Sequence, residues 1–200
     1  MEKKNAPVTI YTESSPNPNS LKFVCEFALI ENHVDFPDLE SAEFSPLAKS
    51  IFENFDFCKR VFIAANFVTV TKDNESDWFE VAPKVKKLIK NHLEEGKAIL
   101  SDDFKQQVKE AQEQIKNNTT TEETEIVKKI KVVLDDYVKP AVESDGGAIS
   151  FHSFEEGVVK VLLQGSCSGC PSSTMTLKNG IENLLQRMVP EVKEVVAEGV

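Results

Sequence analysis

Residues 158–188 read VVKVLLQGSCSGCPSSTMTLKNGIENLLQRM, which is an apolar run, a loop with two cysteines and an amphipathic segment. The apolar run Val158–Leu163 is typical of a buried strand. After the loop, apolar residues recur three and four positions apart, which predicts a helix that Ser172 or Ser173 can cap. The core face of this helix is Leu177, Ile181, Leu184, Leu185 and Met188. A strand, a reactive loop and a helix in this order predict a domain in which helices cover a small sheet.

The residues on either side complete that domain. An amphipathic helix is predicted from Ile126, and Pro140 is expected to end it. Asp145-Gly146-Gly147 is a turn signal, which we interpret as structural because a strand follows it instead of a phosphate-binding helix. A hairpin and a last strand then give the order helix, strand, strand, cysteine loop, helix, strand. We therefore assign residues 122–200 to one small α+β domain.

The N-terminal part also mixes strands with helices. One helix is expected to begin at Ser45-Pro46, and two strands are expected to form a hairpin across Ala65-Asn66. Asp77 could cap a further helix that ends at Gly96, but Pro83 favours a regular start near Ala82. The strand-like segments are Val8–Thr12, Leu21–Cys25, Arg60–Ala64 and Phe67–Thr71. We assign residues 6–96 to a second domain.

Residues 97–121 differ from both domains in composition. They are polar, with only a thin apolar stripe in their first half, and they end in an Asn- and Thr-rich cluster. Ten of the 13 phenylalanines precede Lys97, so the two predicted cores are built from different residues. The predicted fold is therefore α+β, with two small two-layer α/β-sandwich-like domains joined by a polar, partly helical linker.

Composition excludes several classes of partner. The formal net charge is −10, and no basic tail is present, which argues against a nucleic acid or an anionic membrane surface. No apolar run approaches the about 18 residues that a membrane helix needs. The segment Met1–Pro7 has neither an apolar signal region nor an Arg-rich presequence, so the sequence predicts a soluble cytoplasmic protein.

The four cysteines fall into two kinds. Cys25 and Cys58 stand alone among apolar neighbours, and we interpret both as small buried hydrophobic residues. Cys167 and Cys170 lie just before a predicted helix, whose N-terminus favours a thiolate. Their neighbours are glycine and serine, so the pair is expected to be accessible to a second protein. A close pair of this kind indicates metal or redox chemistry.

Several uses of the pair are consistent with the residues. A thioredoxin-like dithiol oxidoreductase also places Cys-x-x-Cys before a helix, but 30 residues after Cys170 are too few for the rest of that fold. A structural zinc site needs four ligands, and this domain contains one histidine, His152. An iron–sulfur cluster needs about four thiolates, which two chains would supply together. A protein–protein adaptor that does not use the cysteines is the further alternative.

Residues 122–200 resemble the C-terminal domain of NifU, that is, the Nfu-type family of iron–sulfur scaffolds and carriers. The resemblance lies in five segments: Tyr137-Val138-Lys139-Pro140, Asp145-Gly146-Gly147, Gly165-x-Cys167-x-x-Cys170-Pro171-Ser172-Ser173, Thr176-Leu177-Lys178-x-Gly180-Ile181-Glu182 and Val189-Pro190-Glu191-Val192. Residues 6–96 are similar to the N-terminal domain of some Nfu proteins. That similarity lies in Pro16–Phe23, Ser45–Ala48, Phe67–Lys72 and Trp78.

The resemblance implies a function for the cysteine pair. Cys167 and Cys170, with the same residues of a second chain, would bind a [4Fe–4S] cluster shared between two subunits and pass it to apo-proteins. The expected partners are apo iron–sulfur client proteins and upstream cluster donors, with a homodimer when the cluster is loaded. The N-terminal domain would help to recognise those partners. On this interpretation the protein is a scaffold and carrier, and not an enzyme.

Overall fold

The computed structural model describes residues 7–104, 124–168 and 171–199, the side chains of residues 171–174 excepted. Contacts divide the chain into two units, residues 1–120 and 121–200, and each unit has its own apolar core. Both units combine a sheet with helices. The predicted α+β fold class is therefore confirmed.

The first unit is built on a five-stranded antiparallel sheet. Its strands are β1 (Ile10–Ser14), β2 (Ser20–Cys25), β3 (Val34–Phe36), β4 (Cys58–Ala64) and β5 (Phe67–Lys72). Their order in the sheet is β1-β2-β5-β4-β3. Ala64 pairs with Phe67, so the predicted hairpin across Ala65-Asn66 is present.

Two α-helices, α1 (Pro46–Asn54) and α2 (Trp78–Glu94), pack with this sheet, and a short 3₁₀ helix (Ser41–Phe44) precedes α1. Ser45 caps α1, because its hydroxyl oxygen accepts a hydrogen bond from the Ala48 amide at 3.1 Å. The same hydroxyl donates to the carbonyl of Ile99 at 2.7 Å. One serine thus stabilises the start of α1 and attaches the chain that follows α2 to it.

Helix α2 begins at Trp78, so the prediction of a start near Ala82 is wrong. The Asp77 side chain accepts from the Phe79 amide at 2.9 Å and caps the first turn. The Trp78 indole donates to the carbonyl of Pro18 at 3.1 Å, and its ring packs edge-on against Phe23. These contacts hold the first turn in place, although Pro83 cannot donate a helical hydrogen bond.

The packed part of the first unit extends past residue 96, at least to Phe104. Leu100 is buried in the core, and the Ser101 amide donates to the carbonyl of Phe44 at 2.8 Å. The ring of Phe104 stacks on that of Phe44 with centroids 5.9 Å apart. The predicted linker therefore begins later than residue 97, and residues 105–121 of it lie outside the described residues.

The second unit opens with a helical segment that continues past Pro140. Thr124 caps α3 (Glu125–Val133), a π-helical turn follows at Leu134–Val138, and α4 (Lys139–Ser144) completes the segment. The prediction that Pro140 ends the helix is wrong. Pro140 falls in the first turn of α4, where a missing N–H costs little, and the wider π turn changes the hydrogen-bonding register just before it.

The second sheet has three strands, β6 (Gly147–Glu155), β7 (Val158–Gly165) and β8 (Glu194–Gly199), in the order β6-β7-β8. β6 and β7 are antiparallel, whereas β8 lies parallel to β7. Helix α5 (Pro171–Met188) connects β7 to β8, and Glu182 on it accepts from the Val195 amide at 2.9 Å. The predicted order of elements in this unit is therefore present.

Candidate functional site

The cysteine loop begins where β7 ends and precedes α5. Gly165 has φ 67°, a left-handed conformation that suits glycine, and the Ser168 amide donates to its carbonyl at 3.1 Å. This tight turn places Cys167 directly after the strand. Cys170 lies outside the described residues, so the structure locates only the first member of the predicted pair.

The Asp145-Gly146-Gly147 turn packs against the cysteine loop. The Ser166 hydroxyl donates to the carbonyl of Asp145 at 2.6 Å, and its amide donates to the carbonyl of Gly146 at 3.3 Å. The sequence alone indicates a structural turn here and does not reveal that it lies beside the cysteine loop. The β6–β7 hairpin was the available signal, because its register pairs Gly147 with Gly165 and so brings both loops to one end of the sheet.

Gly147 lies against the sulfur of Cys167. A Cβ atom added at residue 147 would lie 3.0 Å from Cys167 Sγ and 2.5 Å from the backbone oxygen of Gln164. Real Cβ contacts of 2.5 Å do not occur without a shift of the backbone. The absence of a side chain at Gly147 therefore allows the thiol to pack directly onto the start of β6.

Cys167 is buried, so the prediction of an accessible pair is wrong for this residue. Only 6% of its surface is exposed, and it belongs to the apolar core of the second unit. Its Sγ lies 3.7 Å from the Ser166 hydroxyl oxygen. The sulfur is therefore not open to solvent, although the residues beside it in sequence are small.

Cys25 and Cys58 lie in the core of the first unit, as predicted. Burial raises the pKa of the Cys25 thiol to about 11 and that of the Cys58 thiol to about 12. Both thiols are therefore protonated near neutral pH, whereas metals bind the thiolate. Neither has a second cysteine close to it in sequence, whereas Cys167 is followed by Cys170, so the two loop cysteines are the chain's candidate ligands.

The donor chemistry of the loop suits iron–sulfur ligation. Cys167 supplies a thiol of the kind that binds such clusters. Within residues 7–104, 124–168 and 171–199, no three His, Cys, Asp or Glu side chains converge into a metal site. In the same part of the chain, no helix has the length and apolar character needed to cross a bilayer.

Two family models match the chain. Residues 10–96 match the model described as "Scaffold protein Nfu/NifU N terminal", and residues 130–196 match the "NifU-like domain". The chain is also 39% identical over 188 residues to the human protein named "NFU1 iron-sulfur cluster scaffold homolog, mitochondrial", and it covers 70% of that relative. The chain belongs to the NFU1 iron–sulfur cluster scaffold family.

The curated relatives extend beyond the length of this chain. The Drosophila erecta protein of the same name is 40% identical over 188 residues, which is 93% of this chain and 63% of the relative. A solution structure of a NifU-like protein from Saccharomyces cerevisiae is similar over 51% of this chain and 92% of its own, with 23% identity and a TM-score of 0.45.

The relatives' names also correct one prediction. The Drosophila and human members are both named as mitochondrial proteins. The prediction of a cytoplasmic protein is therefore wrong. The chain spans about two thirds of the length of these relatives.

Proposed function

We propose that this protein is an iron–sulfur cluster scaffold and carrier that binds a [4Fe–4S] cluster through Cys167 and Cys170 and transfers it to apo-proteins. Membership of the NFU1 family supports the scaffold role. The observation that carries the proposal is that Cys167 lies in a different environment from Cys25 and Cys58. Cys167 lies in a loop between a strand and a helix, whereas Cys25 and Cys58 are protonated in the other core.

The number of ligands favours a cluster shared between two chains. A [4Fe–4S] cluster takes about four thiolates, and one chain offers two outside the first unit's core. Two copies of the loop, facing each other across a two-fold axis, would provide the remaining ligands. We therefore propose a homodimer in the loaded state, with Cys167 and Cys170 of each chain as ligands.

The burial of Cys167 gives the carrier role a physical basis. Because Cys167 is only 6% exposed, we propose that its sulfur leaves its contact with Gly147 when it binds an iron that a second chain also binds. Loading therefore exposes apolar surface, and release allows the thiol to return to the core. This return favours the apo state and lowers the net affinity for the cluster, which suits a protein that gives its cargo to a client.

The proposed partners follow from the transfer. An upstream donor would supply the cluster and an apo iron–sulfur client would accept it, with this chain as a carrier and not an enzyme. The first unit carries no proposed ligand, so its proposed role is to recognise these partners. The acidic charge of −10 supports protein partners over nucleic acid.

The test is anaerobic reconstitution followed by transfer to an apo four-iron enzyme. We expect the enzyme to gain activity when mixed with loaded protein in the presence of a chelator that captures free iron. Catalytic disulfide reduction without bound iron would favour the dithiol oxidoreductase instead. Full function of a Cys167→Ser/Cys170→Ser variant would favour an adaptor.

A further inference from the structure

A groove of about 470 Å³ lies between α1 and α2 of the first unit. Its apolar part consists of Phe55 and Leu88, which are half-buried. The Phe55 ring stacks on Phe57 with centroids 5.2 Å apart, which fixes its orientation. A half-buried pair of this kind provides a place for one apolar side chain of a partner.

The sides of the groove are basic, although the chain is acidic. Lys84, Lys87 and Lys97 line it together with one acidic residue, Glu95. Glu95 lies 2.6 Å from the Lys97 ammonium group and neutralises it. Lys84 and Lys87 are exposed and form no ion pair with any residue of the described part of the chain. Two uncompensated positive charges therefore flank the apolar part.

The remaining groups are suited to a peptide backbone. Asn54 and Asn91 are exposed along the groove. Asn54 Nδ2 already donates to the carbonyl of Ser50 at 2.8 Å, but a carboxamide has a second N–H and an oxygen with which to bind a further partner. His92 is buried at the α2 side, where its Nε2 lies 2.9 Å from the carbonyl of Ala98. Burial lowers the pKa of His92, so this ring adds no charge near neutral pH.

We propose that the groove between α1 and α2 binds an acidic segment of a protein partner, with one apolar side chain of that segment against Phe55 and Leu88. Carboxylates on either side of this residue would pair with Lys84 and Lys87. The identification of this partner as a cluster donor or client rests on the proposed function. The binding itself does not, because no cysteine takes part in it.

The test measures binding of synthetic fluorescent peptides to the apo full-length protein by anisotropy at physiological salt. The first peptide carries one phenylalanine between aspartate and glutamate residues. The second has the same charges with serine in place of phenylalanine, and the third has amides in place of the carboxylates. We expect the first to bind at least about tenfold more tightly than either of the others. Equal binding of the first two would show a charge effect only and overturn the proposal.

The matched variants change the charge equally. Lys84→Glu/Lys87→Glu reverses the sign of two charges in the groove. Lys59→Glu/Lys160→Glu reverses the charge of two exposed lysines that do not line the groove. We expect the first variant to weaken binding of the acidic peptide at least about tenfold, and the second to change it less than about twofold. Equal loss in both variants contradicts the proposal. Competition by inorganic phosphate at millimolar concentration would indicate a small-anion site and also overturn it.

A third variant separates this proposal from the proposed function. Cys167→Ser/Cys170→Ser should lose the cluster and keep peptide binding, whereas Lys84→Glu/Lys87→Glu should keep the cluster after reconstitution. Loss of peptide binding in the cysteine variant contradicts the groove proposal alone. Retention of the cluster by that variant contradicts the proposed ligands alone.

Discussion

Gly147, which has no side chain, leaves the space in which the thiol of Cys167 lies. Gly147 and Gly165 pair across the start of the β6–β7 hairpin, and Cys167 Sγ packs onto the bare backbone of Gly147. The sequence was sufficient to identify the cysteine pair, because its spacing and the following helix are local signals. The sequence alone was insufficient to predict the role of Gly147, because that role depends on its contact with Cys167, 20 residues later in the chain.

Gly147→Ala should destabilise the second unit. The new Cβ would lie 2.5 Å from the Gln164 carbonyl oxygen, so the backbone or the cysteine loop has to move. We expect a loss of about 1–3 kcal/mol in the free energy of unfolding and faster alkylation of Cys167 in the folded protein. Urea unfolding and mass-spectrometric mapping of the labelled thiol measure the two effects.

Gly180→Ala is the matched control. Gly180 lies within α5, and an added Cβ meets no atom within 4 Å. Alanine there should be neutral or stabilise by up to about 1 kcal/mol, because it restricts the unfolded chain. If both variants have the stability of the unaltered protein, the close contact at Gly147 does not exist.

Cysteine substitutions in the two units should have opposite effects on iron binding. Cys167→Ser and Cys170→Ser should each abolish iron binding after anaerobic reconstitution, because each removes a proposed thiolate ligand. Cys25→Ala/Cys58→Ala should retain the iron content of the unaltered protein, since both thiols are buried and protonated. Loss of iron from a folded Cys25→Ala/Cys58→Ala variant would contradict this division.

Elements with strong local patterns were predicted well, and those that depend on distant contacts were not. The β4–β5 hairpin and the strand–loop–helix of the second unit follow from periodicity and turn residues. The start of α2 at Trp78 depends on the carbonyl of Pro18, 60 residues earlier. The passage of the helical segment through Pro140 depends on a π turn, which periodicity does not reveal.

His92 should make the stability of the first unit depend on pH. Burial holds its pKa below the unfolded value, so the folded state binds fewer protons than the unfolded state in mildly acidic solution. Its contribution is complete above the unfolded pKa of about 6.5 and is lost as the pH falls below it. The free energy of unfolding should therefore decrease from pH 7 to pH 5.

The measurement is urea unfolding of this unit, followed by Trp78 fluorescence, at several pH values. His92→Gln should flatten the decrease between pH 7 and pH 5, whatever its effect on stability at pH 7. Asp38, Asp73 and Glu95 also have lowered pKa values, but they titrate as carboxyls at lower pH. An unchanged slope in the His92→Gln variant would show that His92 does not cause it.

At the scale of the whole molecule, the two units carry different chemistry. The first contains two protonated thiols and a basic groove, and the second contains Cys167 and the loop proposed to bind the cluster. Composition was enough to predict two cores and acidic character. It was not enough to predict the compartment, for which the names of the longer relatives were needed.

In the proposed loaded state, two chains share one cluster. The direct measurement is anaerobic native mass spectrometry of the reconstituted Cys25→Ala/Cys58→Ala variant, in which only Cys167 and Cys170 can ligate. We expect a two-chain species with about four irons and four sulfides, and no cluster on single chains. A single chain that carries a complete four-iron cluster would contradict it.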